Sequence, residues 1–281
     1  IITNALNVAT GDTLTLYGTG SLTATAGINV AAATAVLDIA DQLTISKVTS
    51  GTAGQDTTGA LTNGIVFNAN ATITTLVPGV TNTQVTMNSN ATIDSAYIGA
   101  YNLNIGGNGK TLSSNDVGIY LASGTSSVTL WDSMDASSVT VGKVTVATDI
   151  TAGATSGIIF KTPGAKVTTV DMQNSLSVNS TVDGEISNTF NIGPEKLSLY
   201  GGDTLTVASP GAVMDTATSK IEFAATSSVI SKVTVSADLD QSAATDGIIF
   251  TTAGGIASLA QTGDVTISTN GVTGTITNEL A

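Results

Sequence analysis

Lys143–Phe160 reads KVTVATDITAGATSGIIF, and both ends of this stretch recur along the chain. Lys-Val-Thr begins at Lys47, Lys143 and Lys232, with spacings of 96 and 89 residues. Gly-Ile-Val-Phe at Gly64–Phe67 returns as Gly-Ile-Ile-Phe at Gly157–Phe160 and Gly247–Phe250, with spacings of 93 and 90. A third marker extends the pattern to both ends: Ile2–Leu6, Ile93–Tyr97, Ile186–Phe190 and Ile276–Leu280. Self-similarity at a fixed period identifies a repeat architecture. The chain therefore divides into internal repeats of roughly 91 residues, at approximately 2–92, 93–185 and 186–275.

Within each repeat the apolar residues alternate with polar ones. Leu14/Leu16, Val139/Val141, Val144/Val146, Leu176/Val178, Leu205/Val207, Val233/Val235 and Val265/Ile267 all follow a period of two, which places one face of a strand in a core. Ala31–Leu43 read alone has near-helical spacing. Its repeat mates remove that reading, because Leu37–Ala40 aligns with Val128–Trp131 and Ile221–Ala224, and all three begin by alternating. Short strands separated by Gly, Asn, Asp and Ser leave little room for helix.

Composition narrows the architecture further. Aromatics make up 4% of the 281 residues and charged residues 10%. A core built from Val, Ile, Leu and Ala must be thin, which suits sheet on sheet. The chain is expected to be all-β, a parallel β-helix or β-solenoid running through residues 1–281 as a single elongated body, with tandem β-sandwich domains as the alternative. Sandwiches should each carry an aromatic anchor, yet Trp131 has no repeat mate, and no Pro-rich or charged linker separates the repeats. At about 20 residues per coil and about 4.8 Å per rung the rod would have about 14 rungs, with successive turns lying like over like.

Charge excludes several partners. The net charge is −13, with eight Lys, no Arg and no His, so nucleic acid has no basic stripe to meet. The longest apolar stretch, Val30–Ala40, is interrupted by Thr34 and Asp38 and is too short to span a bilayer, so no membrane insertion is expected. No Cys is present to form disulfides or thiolate metal sites.

A search for hidden chemistry finds acidic pairs at Asp38/Asp41, Asp132/Asp135 and Asp238/Asp240. Glycan-cleaving sites pair such carboxylates with cationic groups that stabilise developing charge. Asp41 and Asp132 sit at equivalent strand ends, which marks turn residues, and no catalytic residue is assigned. Ser46-Lys47 and Ser231-Lys232 have the residues of a nucleophilic dyad, but neighbours on a strand point to opposite faces. Calcium is the ion the turns could take, with Asp203, Asp238 and Asp240 as candidate ligands; Gly201–Leu205 has only one distant echo, at Gly11–Leu14, so turn geometry is the preferred reading. No other cofactor is expected. Asn70, Asn90 and Asn179 head glycosylation sequons.

Asp132–Thr145 (DSMDASSVTVGKVT), Ser227–Val235 (SSVISKVTV) and the Gly-Ile-aliphatic-Phe markers resemble repeat-rich bacterial surface proteins: autotransporter-adhesin passengers, surface antigens and surface-layer-like proteins. The resemblance implies an exported, extracellular or cell-surface protein that is structural or adhesive, with a host surface or glycan as a partner. The phase of Ile276–Leu280 repeats that of Ile2–Leu6, which leaves two expectations side by side: the chain is a section of a longer repeat protein, or identical subunits stack head to tail, one end on the other, into a fibre. The competing expectation is a carbohydrate-active enzyme or carbohydrate-binding module on the same scaffold. Its mark would be one pocket that breaks the repeat, lined by carboxylates and an aromatic such as Trp131, Tyr97 or Tyr101.

Overall fold

The computed structural model describes residues 1–30, 35–50, 64–78, 82–107, 109–131, 138–239 and 247–280. Among them the chain is almost entirely strand, the one helical turn being Gly153–Thr155. Strands alternate between two sheets, one of twelve strands and one of seventeen, called here narrow and broad. Every pairing in both is parallel and joins a strand to one a full coil away, so the fold is a parallel β-solenoid.

The three Gly-Ile-aliphatic-Phe markers are narrow-sheet strands, Gly64–Phe67, Gly157–Phe160 and Gly247–Phe250. Between the first and second lie three other narrow strands, Asn82–Met87, Asn102–Gly107 and Ser127–Leu130. One sequence period is thus four coils. Coil length varies widely: Ile248 pairs with Ile267, nineteen positions on, but Leu130 pairs with Phe160, thirty positions on. The expected coil of about 20 residues is therefore too short as an average, and the twelve-rung narrow sheet replaces the expected fourteen. In the coil that joins Leu130 to Phe160, much of the excess sits in residues 147–156, between Thr140–Val146 and Gly157–Phe160.

Like does not lie strictly over like. Down one narrow-sheet column, Ile65 pairs with Val85, then Ile105, Leu130 and Phe160. Ile65 thus shares its column with Phe160 and not with its sequence mate Ile158. The next period repeats the step, because Ile158 leads through Val178, Leu199 and Phe223 to Phe250. Each period slides by two residues, which keeps apolar side chains facing inward because the side-chain period is also two. The broad sheet absorbs the slide at breaks within a rung. Val48, Leu76, Ala96, Ile119 and Val144 hold one column, whereas Val141 stands in the column of Ala91 and not in that of its mate Ile45. Between those columns the rung is split into Thr111–Ser113 and Gly118–Leu121. Similar breaks separate Gly20–Leu22 from Ile28–Val30 and Thr204–Val207 from Ala212–Met214.

A single thin core runs between the sheets, and its bulkiest fully buried side chains are Phe67, Phe160, Phe223 and Phe250. Phe223 and Phe250 stack at 4.5 Å between ring centroids, with planes 10° apart. Room for three of these rings is made by glycine on the opposite sheet. A Cβ at Gly184 would lie 2.4 Å from the Phe160 ring, one at Gly254 2.7 Å from that of Phe223, and one at Gly274 2.5 Å from that of Phe250. The marker glycines have a different reason. At Gly157 φ is +79°, and a Cβ there would fall 2.0 Å from the Ser177 carbonyl oxygen, so the corner into the strand admits no side chain.

Overfilling a close-packed core forces neighbours off their rotamers. Gly184→Ala should lower unfolding stability by about 1–3 kcal/mol in urea titration. Gly202→Ala, whose added methyl meets only the Thr226 carbonyl oxygen at 3.9 Å, should change it little. Equal stability of the two variants would show that the Phe–Gly seats do not constrain the core.

Candidate functional site

Where the chain turns between sheets, backbone N–H groups leave the ladder and need other partners. Acidic and amide side chains from the adjacent coil supply them. Asp41 accepts from the Gly18 N–H at 2.8 Å, Asp149 from Ser175 at 3.0 Å, Asp183 from Thr204 at 3.0 Å and Asp215 from Gly193 at 2.9 Å. Asn90, exposed like Asn70 at the neighbouring corner, accepts from Thr111 at 3.0 Å. Asp38 belongs to a side-chain ladder in which Asn68 donates to it at 2.7 Å and Asn88 donates to Asn68 at 2.7 Å.

Of the candidate calcium ligands, Asp203 and Asp238 are among the described residues. Asp203 is exposed in a turn, its N–H donating to the Ser180 carbonyl. Asp238 lies elsewhere and accepts from the Asp264 N–H at 3.0 Å. Asp240, with Asp132 and Asp135, lies outside the described residues. Among the described residues no three His, Cys, Asp or Glu gather as a metal site.

The serines of the two Ser-Lys pairs bond to the backbone. Ser46 Oγ accepts from the Ala24 N–H at 2.8 Å, and Ser231 Oγ accepts from the Val207 N–H at 2.8 Å. Each donates in return to the carbonyl of that same residue. Both hydroxyls thus bridge a break in the preceding broad-sheet rung, at the same point of the first and third repeats. Lys232 points away and donates to Ser209 at 2.8 Å.

The named aromatics are dispersed. Tyr97 is 44% exposed and meets Tyr120 at 5.5 Å between ring centroids, on the outer face of the broad sheet. Tyr101 packs partly against the core, and the Trp131 N–H donates to the Ile105 carbonyl.

A cleft with mixed charge lies elsewhere, on the outer face of the narrow sheet, from the end of the second repeat into the third. Its volume is about 540 Å³, and Ser175, Glu195, Lys196, Lys220, Glu222 and Ile249 line it. The period of two produces the cleft's floor. On Lys196–Gly201 and Lys220–Phe223 the inward residues Leu197, Leu199, Ile221 and Phe223 are buried, which turns Lys196, Lys220 and Glu222 outward. Lys196 and Lys220 are register partners, and Lys196 Nζ reaches diagonally to Glu222 Oε2 at 2.7 Å. Glu195 sits at the corner and accepts from Ser175 Oγ at 3.2 Å. Neither Trp131, Tyr97 nor Tyr101 lines this cleft. Reading for acids close in sequence missed it, because the parallel coil joins residues more than twenty positions apart.

Ion pairs ride the outer faces elsewhere. Lys166 Nζ lies 2.8 Å from Glu185 Oε2, and Lys143 Nζ lies 3.7 Å from Asp171 Oδ2. The hydrogen bond from Lys166 holds the Glu185 carboxyl below the ordinary carboxylate range; partial burial opposes the shift, and Ser187 and the Lys166 charge add to it.

Comparison with known proteins finds no matching family model, no matching curated protein and no matching solved structure. The class of the molecule, a parallel β-solenoid, rests on its own strand register.

Two outcomes follow from these contacts. Ser231→Ala leaves the buried Val207 without its side-chain acceptor and should destabilise by about 1–3 kcal/mol in chemical denaturation. A carboxyl whose folded pKa is depressed stabilises above its unfolded pKa and loses that contribution as pH falls through the folded one. Glu185→Gln should therefore be less stable than the parent at neutral pH, by about 0.2–1 kcal/mol because water screens the pair. The two should converge as the pH drops below the ordinary carboxylate range, as read from unfolding curves at stepped pH.

Proposed function

We propose that this chain is an exported structural and adhesive repeat protein of the bacterial cell-surface type, not a catalyst. It acts as a stiff rod whose hydrated sides make attachments and whose ends join other copies. The observation that carries this reading is the run of parallel pairings along the described residues, in which successive coils are bonded rung to rung. Such a ladder resists bending and extends by adding rungs. The acidic, lysine-poor composition and the Thr, Ser and Asn on the outer faces keep the rod hydrated and repel nucleic acid.

Joining end to end is supported by the repeat itself: Ile276–Leu280 has the phase of Ile2–Leu6, and a parallel ladder extends in one orientation by adding rungs. The charged cleft supports a second reading, carbohydrate binding on the same scaffold.

Negative-stain electron microscopy over a rising protein concentration tests the main reading. The expected particles are rods about 60 Å long at about 4.8 Å per rung, joining into longer strings as concentration increases. Particles that stay single at every concentration would remove the fibre.

A further inference from the structure

The charged positions of the cleft depart from the repeat. Leu197 and Ile221 align with Leu103 and Val128 in the second repeat and with Leu14 and Leu37 in the first. Glu195, Lys196, Lys220 and Glu222 therefore correspond to Tyr101, Asn102, Ser127 and Thr129, and to Asp12, Thr13, Val36 and Asp38. In the second repeat the same face is closed by uncharged groups. Asn102 Oδ1 accepts from Ser127 at 2.8 Å and from Thr129 at 2.9 Å, and Thr129 and Gln84 are buried. The third repeat alone carries charge at all four positions, and two of the eight lysines of the chain stand there. The scaffold does not need this arrangement, since its mates hold the same rungs without it.

The chemistry of the lining selects the occupant. An anion would meet Glu195 and Glu222 on a protein of net charge −13, and a cation would meet Lys196 and Lys220. A neutral polyol both donates and accepts, so its hydroxyls can satisfy ammonium and carboxylate groups together. Pro194 adds exposed apolar surface suited to the C–H faces of a sugar ring, and the largely buried Ile249 lies at the cleft's floor. The lining runs from Ser175, beside the strand Leu176–Ser180, to Asn270, beside Ile267–Ser268. That is four rung steps, about 19 Å along the rod at about 4.8 Å each, long enough for a chain of sugars. We propose that this cleft binds a stretch of neutral polysaccharide lying along the solenoid axis. The inference deepens the adhesive side of the proposed function and rests on it for its setting.

Affinity electrophoresis in gels cast with β-1,3-glucan, mannan, galactan, xylan or heparin tests the proposal. The parent protein should be retarded by at least one neutral polymer and not by heparin. The double variant Lys196→Met/Glu222→Gln should bind at least tenfold more weakly, while Asp38→Asn, at the equivalent position of the first repeat, should bind like the parent. Thermal melting checks that the variants are folded. Should the double variant fail that check, Asn270→Gly replaces it, because the residue has φ +45° in an exposed turn that glycine tolerates, and it should weaken binding several-fold. Retardation by heparin alone, by no polymer, or undiminished in the cleft variants would overturn the site. Rods that bind sugar but never join would instead sink the fibre and leave the site standing.

Discussion

The structure depends on satisfying the backbone wherever the ladder is interrupted. A parallel coil bonds its straight segments to the coils on either side, but at every corner and every split rung the peptide groups lose those partners. An unbonded buried N–H or C=O is destabilising by an amount comparable to a hydrogen bond, and such interruptions recur in every coil. Side chains meet this demand at fixed places. Aspartates and Asn90 take corner N–H groups, Ser46 and Ser231 take both groups of a residue at a split rung, and Ser126 takes the Ser123 N–H while donating to the Ile98 and Gly99 carbonyls. The abundance of short polar residues in this chain is therefore structural before it is functional.

The interior obeys a second rule, set by thinness. With two sheets close together, a large side chain on one can be accommodated only by a missing one on the other. Phenylalanine on the narrow sheet therefore faces glycine on the broad sheet one rung further on, at Phe160/Gly184, Phe223/Gly254 and Phe250/Gly274. Phe67 is fully buried in the first repeat, and the corresponding broad-sheet strand begins with the small, buried Ala91 where the later ones begin with glycine. Volume is conserved across the gap and not along the chain.

That distinction explains what could be read from the amino acids and what could not. The strands and the long sequence period were legible because alternation and the Lys-Val-Thr and Gly-Ile-aliphatic-Phe markers are local signals, each contained within one strand; the number of coils in a period was not. The two-residue slide was not, since it is the sum of small differences in turn length that leave every strand internally unchanged. The same limit hid the cleft. Asp38 and Asp41 attract notice because they are close in sequence, whereas Lys196 and Glu222 meet only because one coil separates them. A signal was nevertheless present: aligning the repeats on Leu103 and Leu197 places Asn102 beside Lys196, and aligning on Val128 and Ile221 places Thr129 beside Glu222. The break in the pattern is visible there without coordinates.

The slide and its compensating breaks both complete within one period, which sets the unit by which such a molecule can grow. Losing a single coil would bring together strands whose inserted residues no longer match, so that neither sheet could close its columns. Losing or duplicating a whole period restores the same junction. Genetic exchange between the similar segments would therefore yield foldable descendants in steps of four rungs, giving a family of rods whose lengths are quantised while their cross-section stays constant.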